Sequence, residues 1–228
     1  MPSRVLSLIV VLCASAPLGA AVVTWSGAGG DGRFANPANW GGATPQAGDD
    51  LVIVADGATA LVNDLAACPV GSLNIAGAML SGDPLMVSGA IVCTADARVG
   101  GIVLGGPVVC TVASGATLTL TAQLDNRGHD LRLDGEGQLV VAAPIVGVGG
   151  LSKDGHGQLT LAAVSTFTGA VALRGGEVRI EVDAPASGDG AFGAGGAAVA
   201  CNGVRLVLAA GRCERALAFG ELGGAVLA

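Results

Sequence analysis

The run "DGEGQLVV" begins at Asp134 and the run "DGHGQLTL" begins at Asp154. They are offset by 20 residues, and five of their first six positions are identical. Related beats flank them: "GATLTL" centred on Leu118, "GQLVV" on Leu139, "GQLTL" on Leu159 and "GEVRI" on Val178, separated by 21, 20 and 19 residues. "GSLNI" around Leu73 and "GVRLVL" around Leu206 have the same form at looser spacing. A period near 20 residues is the mark of a solenoid coil. No other feature narrows the folds open to this chain so far.

Within each beat the side chains alternate. Leu159 and Leu161 should face inward and Thr160 outward; Val178, Ile180 and Val182 should face inward, with Arg179 and Glu181 outward. Strands buried on one face require this alternation. The segments are too short and too rich in glycine for helices. The expected fold is therefore all-β: a single-stranded parallel β-helix, or β-solenoid, with coils of about 20 residues. Composition fits a narrow interior. The chain has 39 glycines among 228 residues, 51% hydrophobic residues, only 3% aromatics and no tyrosine. Neither disorder nor collagen suits it, because hydrophobicity is high and glycine keeps no period of three.

Net charge is −7, with no basic stripe to neutralise phosphates, so a nucleic-acid partner is excluded. Residues 1–21, "MPSRVLSLIVVLCASAPLGAA", read as a secretory signal, with Arg4, an apolar run and small residues up to a cleavage point after Ala20 or Ala21. The run is too short to span a bilayer comfortably, so no membrane span is expected after its removal. Cys13 follows Leu12, which argues against lipidation. Five cysteines remain: Cys68, Cys93, Cys110, Cys201 and Cys213. No Cys-x-x-Cys pair occurs, which disfavours zinc and redox motifs. Small buried thiols are the favoured reading; disulfides, which export would allow, are the alternative, with at least one cysteine left over.

Gly147 to Val182 reads "GVGGLSKDGHGQLTLAAVSTFTGAVALRGGEVRIEV". This resembles the autotransporter-associated β-strand repeat, also called the passenger-associated transport repeat. That family opens Gly-Gly-Leu-x-Lys-x-Gly-x-Gly-x-Leu-x-Leu, matched here by Gly149, Gly150, Leu151, Lys153, Gly155, Gly157, Leu159 and Leu161. Its Thr-Tyr-Thr-Gly element is matched by Thr166, Phe167, Thr168 and Gly169, with phenylalanine for tyrosine. The strict match covers residues 147–182, the best repeat unit of a solenoid region spanning 51–228. Residues 22–50, rich in tryptophan and glycine, resemble the segment that opens such secreted proteins and form the expected cap or first coil. The chain closes on "GGAVLA", and a truncated C-terminus is the expectation.

The resemblance implies a non-catalytic exported solenoid on a bacterial surface or secreted from the cell, serving as a stalk or presentation scaffold and aiding passenger secretion. Surface glycans or other cell-surface proteins are the implied partners, and a translocator barrel would follow downstream. Two alternatives remain: an adhesin or carbohydrate-binding module, and a polysaccharide-acting β-helix enzyme of the pectate-lyase-like type.

Candidate chemistry is sparse. Lys153, the only lysine, lies within four residues of Asp154 and His156, and lysine, carboxylate and imidazole are acid–base groups. The counterparts of Asp154 and His156 one coil earlier are Asp134 and Glu136, so the trio reads as a solvated turn, with a Glu136–His156 pair across adjacent coils as an added expectation. His129 and Asp130 form another turn. Asp49 and Asp50 offer clustered oxygens for calcium, but no calcium-binding nonapeptide array accompanies them. "SGDGAFGAGG" lacks the helix and the Gly-Lys-Ser/Thr ending of a phosphate loop. Trp25 and Trp40 read as cap packing, with a sugar-stacking platform as the alternative. No catalytic residue, cofactor or metal is expected.

Overall fold

Short apolar runs closed by glycine commit the chain to strands of two to five residues, each too narrow to bury its own inner face. In the computed structural model, which describes residues 20–57, 59–65 and 68–228, successive coils supply the missing cover. The strands form three parallel sheets of ten, nine and five strands, and the nine-stranded sheet carries one strand per turn, giving nine turns. The one helical element among the described residues is a 3-10 turn, Pro37–Trp40. No helix among them is long and apolar enough to cross a membrane. The expected signal segment, with Cys13, lies outside the described residues except for Ala20 and Ala21.

The 20-residue offset is the coil. On the nine-stranded sheet Leu118, Leu139, Leu159, Val178 and Leu206 stand in one unbroken register column. The ten-stranded sheet has a matching inward column: Leu51, Leu73, Ile91, Cys110, Leu133, Lys153, Leu173, Cys201 and Phe219. The Leu73 beat therefore belongs to the other face. "GSLNI" makes the strand Leu73–Ala76 of the ten-stranded sheet and not of the Leu118 column. Each coil carries more than one such beat, which accounts for the spacing of the Leu73 beat; the wider step from Val178 to Leu206, within one column, spans the segment 183–198.

Alternation holds with two departures. Leu159, Leu161, Val178 and Ile180 are buried, and Glu181 is exposed. Val182 is only half-buried, because the strand Glu177–Ile180 has ended. Thr160 faces outward yet is 5% exposed, standing in register between Val140 and Arg179.

The third face is built from strands of two or three residues, Pro69–Val70 through Ile145–Val146. Beyond Val146 it continues without strands: Thr166 and Phe167 donate their N–H groups to the Ile145 carbonyl at 3.0 and 3.3 Å. Phe167 is fully buried there, where a ring without a hydroxyl needs no polar partner.

After Ile180 the chain leaves the coil. The segment 183–198 seats Ala191 and Phe192 in the core, and the Ala194 N–H donates to the Phe167 carbonyl at 2.8 Å. Arg215, itself buried, pins this excursion through carbonyls: its Nε donates to Pro185 O at 2.9 Å and a guanidinium NH2 to Gly193 O at 2.8 Å.

The N-terminal segment covers the first turn. Its strand Val22–Thr24 pairs in register with Asp50–Val54. Trp25, Phe34 and Trp40 form a compact trio, with Trp40 edge-on to both partners at 4.9 Å between ring centroids. The Trp40 indole N–H donates to Phe34 O at 2.8 Å. Asp31 ties the loops together by accepting from the Arg33 backbone N–H and from the side-chain amides of Asn36 and Asn39. These bonds, the Arg33 N–H foremost, hold its carboxyl below the ordinary range.

Candidate functional site

The corner "KDGHG" separates its three ionisable groups. Lys153 ends the strand Leu151–Lys153 instead of lying on the turn, which corrects the sequence reading. Two residues past inward Leu151, it shares Leu151's parity and faces the core at 3% exposure. Its ammonium donates to the carbonyls of Asp154 at 2.5 Å and Gly155 at 2.9 Å. Burial pushes its pKa below the ordinary 10.5, against the pull of Asp134, Asp154 and Glu136. A void of about 10 Å³, bordered by Cys110, Leu133, Gly135 and Leu159, lies beside it.

Asp154 turns outward on the ten-stranded sheet, where Arg132 of the preceding coil meets it at 2.8 Å and Arg174 of the following coil at 3.5 Å. His156 is exposed on the far side of the corner. Proton transfer needs its groups within hydrogen-bond reach, and these three face the interior, one outer sheet and a groove respectively. The expected Glu136–His156 ion pair is not formed; both residues border the same groove.

That groove, of about 450 Å³, runs along the solenoid axis. Register fixes its construction. Thr117, Gln138, Gln158 and Glu177 occupy one outward row, each on a successive coil. Glu136 and His156, one coil apart, form the opposite wall, and Gly137 and Gly157 form the floor. The floor needs glycine: a Cβ on Gly157 would lie 2.1 Å from the Gly137 carbonyl oxygen. Along the outward row, Gln138 donates to Gln158, Gln158 donates to Glu177 at 2.5 Å, and Arg205 meets Glu177 at 2.9 Å. The carboxylate sets the direction of this ladder, because it can only accept and so orients both amides. Sequence reasoning missed the row. Its signal was the glutamine repeated in "GQL" at Gln138 and Gln158.

The remaining residues singled out by sequence are held by local bonds. The His129 N–H donates to Asn126 O at 2.7 Å, and Asp130 accepts from the Gly150 N–H at 2.7 Å. Asp49 accepts from the N–H groups of Ala21 at 3.0 Å and Gln46 at 2.8 Å. Asp50 accepts from both the N–H and the hydroxyl of Ser72. Among the described residues no three histidine, cysteine or acidic side chains are grouped so that they could hold a metal ion. Trp25 and Trp40 are 9% and 6% exposed and lie against each other at 4.9 Å. The five cysteines among the described residues are free thiols; Cys93, Cys110 and Cys201 are buried, and Cys68 and Cys213 are half-buried. Burial pushes the Cys110 thiol up to about 12.

No family model, curated protein or solved structure matches the chain.

Proposed function

We propose that this protein is an exported, non-catalytic β-solenoid of the autotransporter-passenger type, acting as a surface or secreted stalk that presents binding surfaces and supports its own secretion. The observation that carries the reading is the unbroken parallel register over nine turns. Each coil meets only its neighbours, so a chain emerging end-first can fold coil upon coil. At a strand spacing of about 4.8 Å, nine turns make a rod about 40 Å long. The scattering of ionisable groups around "KDGHG" supports a role without catalysis. The axial groove holds two carboxylates, Glu136 and Glu177, and the second is neutralised by Arg205.

The test is expression of the full chain in a Gram-negative host, with fractionation and N-terminal sequencing of the product. A mature chain starting near Val22, outside the cytoplasm, is the expected result. A full-length chain retained in the cytoplasm would sink the export reading.

A further inference from the structure

We propose that the axial groove binds a neutral, hydroxyl-rich glycan chain. Four of its polar groups have no hydrogen bond or ion pair among the described residues: the Thr117 hydroxyl, the Gln138 amide oxygen, the Glu136 carboxylate and the His156 ring. They sit on three consecutive coils, so they offer donors and acceptors at intervals of about 4.8 Å. The ladder Gln138–Gln158–Glu177 holds the amides in place before any ligand arrives, which lowers the ordering cost of binding. The glycine floor lets a ring approach the backbone closely.

The chemistry selects among ligands. No phenylalanine, tryptophan or large aliphatic side chain lines the groove, so an apolar ligand finds little to bury against. Mixed donors and acceptors in a row suit hydroxyl groups, which both give and take hydrogen bonds. A polyanionic glycan meets the Glu136 carboxylate on a chain of net charge −7. A polycation gains little, because Glu177 is already paired with Arg205 and Glu136 lies in the field of the Lys153 ammonium. Without a stacking aromatic the affinity is weak, with a Kd on the order of 1 mM for a short oligosaccharide.

The experiment is an NMR titration of the folded protein with cello-, malto- and chito-oligosaccharides, with spermine and oligogalacturonate as charged comparators. At least one neutral oligosaccharide is expected to shift the Gly137 and Gly157 amides and the side-chain amides of Gln138 and Gln158 saturably. The double variant Glu136→Ala/His156→Ala alters exposed turn residues that bear no structural bonds, and it should weaken binding about tenfold. Arg174→Ala, on the other sheet, should leave binding unchanged. The proposal is overturned by no saturable shift with any neutral oligosaccharide, by equal binding to the double variant, or by tighter binding of either charged comparator. None of these outcomes touches the scaffold reading, which rests on processing and location.

Discussion

Lys153 and Cys110 occupy the same inward column of the ten-stranded sheet, two coils apart. Burial disfavours the charged form of each, but the two respond to pH in opposite senses. The lysine pKa is lowered in the fold, so between that value and 10.5 the unfolded chain binds the extra proton, and stability rises with pH. The thiol is raised from 9.0 to about 12, so the fold keeps a proton that the unfolded chain has lost, and stability falls across that interval. Lys153→Met should therefore gain most over the parent near neutral pH, and the difference should shrink as pH approaches 10.5. Urea midpoints across that range measure it; a difference that does not vary with pH would mean the buried ammonium carries no net penalty. For Cys110→Ala the test lies above pH 9. The parent should lose up to about 4 kcal/mol more than the variant on going to pH 12, because each pKa unit is worth about 1.4 kcal/mol.

At the scale of the element, the corner between two strands is set by contacts between coils. Gly157→Ala would drive a methyl into the Gly137 carbonyl of the coil below, and a cost of about 1–3 kcal/mol in unfolding free energy is expected, as for other overpacked sites. Gly196→Ala is the control, since nothing lies within 4 Å of a Cβ built there; its midpoint should stay near that of the parent. Asp154→Ala breaks two pairs with half-exposed arginines, so about 0–1 kcal/mol is expected despite its place between Arg132 and Arg174. The same contacts explain what the sequence disclosed. Parallel in-register stacking turns a repeat offset directly into a coil length, so Leu118, Leu139, Leu159 and Val178 were legible as one column. Lys153 was legible in principle as the counterpart of inward Leu133, but a charge beside Asp154 and His156 drew the reading toward the turn. The third face left no pattern, because strands of two or three residues are too short to alternate. The excursion 183–198 has no period at all. Its place is fixed by Phe192 and by Arg215, whose partners are backbone carbonyls that leave no mark in a sequence.

For the whole molecule the question is whether nine coils unfold as one. Each coil touches only its neighbours, and the N-terminal trio sits at one end of the stack. Trp40→Ala removes edge contacts to Trp25 and Phe34 and the hydrogen bond to the Phe34 carbonyl. In a globular core, loss of such a ring costs about 3–5 kcal/mol, and the whole fold bears it. In a nearest-neighbour stack the cost falls on the cap and first coil, which can open while the rest stays closed. Hydrogen exchange separates these cases. Protection of the Trp25 N–H, which donates to Val52 O at 2.8 Å, should collapse in the variant together with that of Leu51 and Ile53. Protection of Leu139, Leu159 and Val178, several coils away, should stay at the parent level. If protection fell equally at all these sites, the solenoid would be a single cooperative unit, and the trio would hold up every coil instead of covering the first.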